Sequence, residues 1–408
     1  DVYKRQIQHI AEIIKAKASI HQQNDIEHLL IDSRKIIFPT TSLFFALSGP
    51  RRNGHDFIKD VYAKGVRNFV VRKNYTVPVL SDANFLAVDN VLDALQNMTA
   101  YHRKQFNYPV IGITGSNGKT IVKEWLNQLL QNEYNIVRSP RSYNSQIGVP
   151  LSVWKMNEQS NLGIFEAGIS TTNEMLHLRN IIQPTIGILT NIGEAHKEGL
   201  ADNNEKIHEK LKLFSHCENL IYCKEDVPYE LIIDANEFSW SRKTKATVII
   251  AEEIKKHQST ELSLQYKNQL QKIEVPFTDI ASVNNSITCI CTMLLLKYDW
   301  QIIQQRVLQL QAVEMRMQLK KGINNCTIIN DSYSNDLSSL SIALDYLQQQ
   351  SGKSLSTVIL SDIFQSGIKD ELLYEKVATE LINRKIHHFI GIGEKICQQH
   401  SLFNAIQK

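Results

Sequence analysis

One run constrains this chain more than any other: Val110-Ile111-Gly112-Ile113-Thr114-Gly115-Ser116-Asn117-Gly118-Lys119-Thr120. Four of the five residues before Gly115 are apolar or glycine, which suits a buried β-strand. Ile121 to Leu130 then has the spacing of an amphipathic helix. A strand, a glycine-bearing turn and a helix start together make a phosphate cradle. The backbone N–H groups of the first turn point at the anion, and the helix dipole favours negative charge there. Lys119 can reach terminal phosphates, and the Thr120 hydroxyl is placed to hold Mg²⁺. The general nucleotide-loop pattern has a glycine six residues before the lysine; here that position is Ile113, so the motif is the shortened form Thr-Gly-x-x-Gly-Lys-Thr. Gly115, Ser116, Asn117, Gly118, Lys119 and Thr120 are the expected phosphate-contacting residues.

With 408 residues there is room for two or three domains with ample core. Charged residues at 21% and hydrophobic residues at 43% describe an ordinary globular protein. A net charge of +3 gives no argument for nucleic acid or a membrane surface. The six cysteines lack C-x-x-C spacing, which argues against a zinc site and fits a reducing cytoplasm. There is no apolar run of about 18 residues, so no transmembrane helix is expected, and no signal peptide stands at the start. The chain does not begin with Met, and Asp1 to Gln6 follows no structural pattern; it reads as a piece of a longer protein.

Three units follow in order. Residues 1–102 alternate strands (Ser42 to Leu47, Phe69 to Val71) with short helices, an α/β pattern. Here Ser33, Arg34 and the Asn53-Gly54-His55 turn could line a phosphate or nucleotide pocket, or be ordinary surface loops. Residues 103–310 open with the phosphate loop, and strand-like runs recur at 162–166, 186–190, 220–223 and 246–250. That is a mostly parallel sheet with helices on both faces and a ligand at the strands' carboxyl ends. Glu166, His196 and Lys210 fall just past strands or in the helix that follows. A strand-end carboxylate near a phosphate loop can hold Mg²⁺, although each of the three is also a common surface residue. Residues 311–408 read strand, helix, strand, helix, strand, with Asp331 and Asp362 at strand ends; this doubly wound pattern stops at its third strand and looks unfinished.

With these residues in view, the chain resembles the Mur ligases of peptidoglycan synthesis over nearly its whole length. The motifs are Asp32-Ser33-Arg34, Leu43 to Gly49 with Asn53 to Phe57, the Gly118-Lys119-Thr120 loop, Tyr143-Asn144-Ser145-Gln146-Ile147-Gly148-Val149-Pro150, Glu166-Ala167-Gly168, Asn191 to His196, Met315-Arg316-Met317 and Asn330-Asp331-Ser332-Tyr333. The resemblance implies a three-domain α/β architecture: an N-terminal domain for the UDP part of a substrate, a central ATPase domain with a parallel sheet, and an incomplete Rossmann-like C-terminal domain. Ser33, Arg34, Asn53, His55 and Asn144 then fall in the substrate site. Glu166 looks like a Mg²⁺ ligand and His196 like the ligand of a second Mg²⁺. Lys210, chosen over Lys206 or Lys212 on spacing, falls where the family carries a carbamylated lysine. Asn285 falls at the adenine contact, and Arg316 and Asp331 at nucleotide contacts. Two departures stand out. Glu314-Met315 replaces a Pro-Gly before the arginine, and Ser334-Asn335-Asp336-Leu337 replaces Asn-Ala-Asn-Pro, where Tyr333 and Asp336 would meet an incoming dipeptide.

Within the family the residues are most like those that join D-alanyl-D-alanine to UDP-N-acetylmuramoyl-tripeptide, in the bacteroidete form fused to an alanine racemase. A pyridoxal-phosphate domain would then follow. The implied chemistry is ATP-dependent amide ligation in the cytoplasm through an acyl phosphate. Lys119, His196, Lys210 and Arg316 would do the catalytic work around two Mg²⁺ ions, and domain closure would keep water from the acyl phosphate. Two alternatives stay open: another ligase of this architecture (one adding the third amino acid, or a folylpolyglutamate synthase-like enzyme), and a nucleotide-binding module without ligation.

Overall fold

The structure is a computed structural model and describes residues 5–49, 52–192, 203–227, 235–333, 335–351, 354–364, 366 and 368–406. His196 lies outside the described residues.

The first part of the chain runs β1 (Arg5–Gln6), α1 (Ile7–Ile13), β2 (Lys17–Ser19), β3 (Asp25–Ile26), β4 (His28–Leu30), β5 (Ser42–Phe45), α2 (Ile58–Ala63), β6 (Asn68–Arg72), β7 (Asn84–Val88) and α3 (Val91–Arg103). Five of these strands form a sheet in the order β2-β7-β6-β5-β4, parallel except for β2. Its central strands are apolar on both faces, as a covered parallel sheet requires. Phe44, Phe69 and Phe85 fill one side with Ile58 and Val61. Leu43, Phe45, Val70 and Leu86 fill the other with Leu95 and Met98 of α3. Asn90 caps α3, its Oδ1 accepting from the N–H groups of Leu92 and Asp93.

Next come β8 (Val110–Thr114), α4 (Lys119–Leu130), β9 (Ile136–Arg138), α5 (Gly148–Val153), β10 (Leu162–Glu166), α6 (Glu174–Ile182), β11 (Ile186–Leu189), α7 (Asn203–Leu211), β12 (Asn219–Cys223), β13 (Asn236–Ser241), β14 (Val248–Lys255), β15 (Thr260–Tyr266), β16 (Gln269–Val275), α8 (Ile280–Leu295) and α9 (Trp300–Val307). The sheet order is β16-β15-β14-β13-β12-β11-β8-β10-β9. Chain direction across the sheet reverses beside β8, so the switch point of a doubly wound sheet falls at the strand that carries the phosphate loop. The sequence reading stopped at β14. The structure adds an antiparallel meander, β14-β15-β16, closed by Lys267 and Asn268, both with positive φ (47° and 63°). That is the backbone of a two-residue hairpin turn; it was missed because the turn holds no glycine.

The last part holds β17 (Gln318–Lys321), β18 (Thr327–Asn330), α10 (Leu337–Ser351), β19 (Thr357–Ser361), α11 (Asp370–Asn383), β20 (His388–Ile392) and α12 (Glu394–Gln398). β19 and β20 pair in parallel. β18 pairs antiparallel with β17 instead of joining them. The reason is local: Asn324 and Asn325 both adopt positive φ, and Gly322 N–H donates to Cys326 O at 2.7 Å, closing a hairpin. Asp362 proves to be a cap, accepting from the N–H groups of Lys395 and Ile396 at the start of α12.

By compactness the chain divides into two units. One holds Asp1–Gly112, Asn132–Gly168 and Glu174–Ile186; the other holds Ile113–Gln131, Ile169–Asn173 and Gly187–Lys408. Among the described residues, no helix is long and apolar enough to cross a membrane.

Candidate active site

In the second unit the chain leaves β8 through Gly115 (φ +147°) and Gly118 (φ +84°) and enters α4 at Lys119. Both glycines are required twice over, by backbone angle and by space. A Cβ on Gly115 would lie 2.0 Å from Thr190 Oγ1, and one on Gly118 would lie 2.5 Å from Asn285 Oδ1. Asn285, buried on α8, is thereby brought against the turn. The loop is also tied to the end of β11. Ser116 N–H donates to Asn191 O (2.9 Å), Asn117 N–H donates to Asn191 Oδ1 (2.8 Å), and the Thr190 hydroxyl donates to Asn117 O. Those two N–H groups, expected to face an anion, brace the loop instead.

Positive charge collects on the same turn. Lys119 Nζ donates to the carbonyls of Gly115 (2.8 Å) and Ser116 (2.9 Å). Lys210 Nζ, from α7, donates to that Gly115 carbonyl at 3.0 Å. Burial, and then the charges of Lys119 and Lys206, hold the Lys210 ammonium well below the ordinary lysine pKa. Lys212 is spent on an ion pair with Glu209. The geometry thus distinguishes Lys210 from Lys212, whereas Lys206 joins the cluster as a third buried cation.

The segment after α9 reaches the turn as well. Trp125 Nε1 donates to Gln311 O (2.8 Å) and Arg306 donates to Leu129 O (2.6 Å), fastening this segment along α4. Arg316 Nη2 then donates to Thr120 Oγ1 at 3.3 Å. Asp331 Oδ1 accepts the Met317 N–H at 3.0 Å. Burial pushes its carboxyl up to about 6, against the pull of that N–H and of Arg316. Asp336 caps α10, accepting from Ser339 N–H (2.9 Å) and Oγ (2.8 Å), and Ser339 Oγ sits 3.5 Å from Asn117 Oδ1. The carboxylate expected to meet a dipeptide is therefore a helix cap in this structure. Tyr333, expected to touch substrate, lies with its ring against Arg316.

In the first unit Glu166 ends β10 fully buried, its N–H donating to Ser139 Oγ at 3.2 Å. Gly168 N–H donates to Asn144 O (2.8 Å), which joins two of the sequence motifs at one corner. Arg34 is mostly exposed and grips Asp32 with Nε (2.9 Å) and Nη2 (2.8 Å); this pair holds the Asp32 carboxyl well below the usual carboxylate range. Ser33 O accepts from Lys64 Nζ. Asn53 Oδ1 accepts from Ser48 Oγ (2.8 Å), His55 N–H (3.3 Å) and His55 Nδ1 (2.9 Å), while His55 Nε2 accepts the Arg72 N–H at 3.0 Å. His55 is therefore a neutral ring, and burial lowers its pKa. A groove of about 940 Å³ runs along β4 from Asp32 and Lys35 past Tyr143 to Trp154 and Gln159.

Residues 113–293 match the model of the Mur ligase middle domain. The chain is 24% identical, over 96% of its length and 86% of the relative's, to UDP-N-acetylmuramoyl-tripeptide–D-alanyl-D-alanine ligase of Bacillus subtilis (strain 168). Crystal structure I of MurF from Acinetobacter baumannii superposes with a TM-score of 0.86 at 22% identity, covering 100% of this chain and 89% of that one. The MurF ligase of Thermotoga maritima in complex with ADP superposes at 0.71 with 18% identity, covering 92% and 96%. Residues 113–293 of the chain are thus a Mur ligase middle domain.

Around the Gly115–Thr120 turn the chain has the parts that a nucleotide tail demands. Lys119 and Lys210 share one carbonyl beside two positive-φ glycines, an arrangement that suits a polyanion. Thr120 sets a hydroxyl oxygen on that turn, a hard donor of the kind Mg²⁺ takes. Among the described residues no cluster of three His, Cys, Asp or Glu that could hold a metal ion is present. Thr190 and Ser339 carry no motif signal in sequence, and there spacing favours Lys210 over Lys206. Asn191 enters there only as the start of a motif. Thr190 and Asn191 act largely through backbone atoms of the loop, which leaves little signature in residue type.

Proposed function

We propose that this chain is a Mur ligase that adds D-alanyl-D-alanine to UDP-N-acetylmuramoyl-tripeptide in the cytoplasm, with ATP as the energy source. The observation that carries the reading is the convergence of Lys119, Lys210 and Arg316 on the Gly115–Thr120 turn. The name of the Bacillus subtilis relative supplies the substrates, and the ADP named for the Thermotoga maritima structure supports the nucleotide. A three-domain division at residues 102/103 and 310/311 accompanies the reading.

The reaction joins two anions before it joins a carbon to a nitrogen. A carboxylate oxygen of the tripeptide attacks the γ-phosphorus, ADP leaves, and an acyl phosphate forms. The dipeptide's neutral amine then adds to the acyl carbon. Phosphate leaves from the tetrahedral intermediate, and the nitrogen gives up its proton. Charge neutralisation is the chief demand. Lys119 and Arg316 meet it at the phosphates, with Asn285 at the adenine and Asp331 beside the nucleotide. Lys210 is held toward its neutral amine form, the form that adds CO₂ to give a carbamate and a proton. Mg²⁺, held by Thr120 and Glu166 and at a second position by His196 and the Lys210 carbamate, would supply further positive charge at the phosphates. Ser33, Arg34 and Asn144, with the groove along β4, are our candidates for holding the UDP-sugar peptide; Asn53 and His55 shape the loop beside them.

The test is phosphate release by the purified protein with ATP, UDP-N-acetylmuramoyl-tripeptide and a panel of amines. D-alanyl-D-alanine should support release and yield the pentapeptide product. Glutamate or diaminopimelate as the preferred amine would assign the chain to another ligase of this architecture. ATP binding with no amine-dependent release would leave only a nucleotide-binding module.

A further inference from the structure

Arg316 reaches Thr120 from a bent tripeptide. Both its neighbours have positive φ, Met315 at 59° and Met317 at 47°, a region that side-chain-bearing residues avoid. One short segment holds the bend. Met317 N–H donates to Asp331 Oδ1 (3.0 Å), and Tyr333 N–H donates to Met315 O (3.4 Å). The Tyr333 ring then lies against the guanidinium, with Arg316 Cζ 4.1 Å from the ring centroid. At that distance a planar cation is attracted to the ring face and its plane is fixed. Arginine has many rotamers, so without such a face it would have to be ordered at the moment of binding.

We propose that Tyr333 is a positioning residue for Arg316: its ring sets the plane of the guanidinium over the Gly115–Thr120 turn, so that the cation meets the terminal phosphate already oriented. This rests on the reading of the turn as an ATP site. It gives Tyr333 a role through Arg316 in place of the direct substrate contact expected from sequence. The ring is 48% exposed, so shortening it leaves no core cavity.

Calorimetric binding of ADP and of a non-hydrolysable ATP analogue, with kcat and KM for ATP, tests this on Tyr333→Phe, Tyr333→Leu, Arg316→Ala and the double variant Arg316→Ala/Tyr333→Leu. Tyr333→Leu should weaken the triphosphate analogue about 10-fold and more than it weakens ADP. Tyr333→Phe should stay within about twofold of the parent, because the stacking ring remains. The double variant should match Arg316→Ala alone. The proposal is overturned if Phe is as damaging as Leu, if Leu binds the analogue as the parent does, or if the Leu loss adds in full to that of Arg316→Ala. If the parent protein binds neither nucleotide, the ATP reading itself fails and the proposal falls with it.

Discussion

The turn at Asn53–His55 and the turn at Gly115–Thr120 both follow a buried strand and both carry glycine; in sequence the second reads as a phosphate cradle, and the first as either a phosphate pocket or an ordinary surface loop. In the first, the polar atoms are consumed by one another. Asn53 Oδ1 takes three donors and His55 Nε2 takes a backbone N–H, leaving a neutral, buried ring. In the second, backbone N–H groups are braced by Asn191, while the amino groups of Lys119 and Lys210, from two helices, donate to one carbonyl of the loop. The first arrangement is content without a ligand. The second brings Lys119, Lys210 and Arg316 to a glycine-bearing turn, where their charge attracts an anion. What separates the two turns here is the gathering of basic side chains from several elements on one of them, not polarity.

The sharpest way to break this contrast is Lys119→Ala. It should cut ATP-dependent phosphate release by about 10³-fold; turnover near that of the parent would erase the distinction between the two turns. Next is Lys210→Arg, which puts a permanent cation at this place and removes the amine that can become a carbamate. A loss of about 10²-fold in kcat is expected, and full retention would show that the carbamate is not needed.

The first unit should instead answer to acid. His102 is buried, and burial, with the charge of Arg5, pushes its pKa down to about 3 from an unfolded value near 6.5. The unfolded chain therefore binds the extra proton between those values. The stability this ring contributes is whole above pH 6.5 and falls by about 1.4 kcal/mol per unit as pH drops below it. Urea unfolding across pH 7 to 5 should show that acid limb, and His102→Phe should flatten it. A limb unchanged by the substitution would contradict the assignment. Smaller still, His55→Phe should cost about 1–3 kcal/mol of unfolding free energy by stranding the Arg72 N–H. Unchanged stability with a raised KM for the UDP substrate would instead make His55 a binding residue and dissolve the comparison.

These cases also show how far sequence could reach. The phosphate loop was legible because two positive-φ positions demand glycine and a helix start demands a strand before it. Lys210 was legible only through motif spacing, since a buried cation looks like any surface lysine in a string of letters. The fates of Asn53, His55 and Asp336 were not legible, because a side chain that binds a ligand and one that bonds its own loop have the same composition. The β14-β15-β16 meander and the β17-β18 hairpin were hidden by Lys267-Asn268 and Asn324-Asn325, turns that adopt glycine-like angles without glycine. Met315 is the same case at the site: it stands in αL where the resemblance expects glycine. Met315→Gly should raise unfolding free energy by up to about 1 kcal/mol, the smallest effect in this series. A loss of that size would show that the bend is not strained.

The account turns on a carboxylate attacking the phosphorus of ATP held at Gly115–Thr120. UDP-N-acetylmuramoyl-tripeptide labelled with ¹⁸O in its reacting carboxylate tests this directly when it is turned over with D-alanyl-D-alanine. One labelled oxygen per turnover should appear in the released phosphate, because the bridging oxygen of the acyl phosphate leaves with phosphorus. Pentapeptide product accompanied by unlabelled phosphate would contradict it.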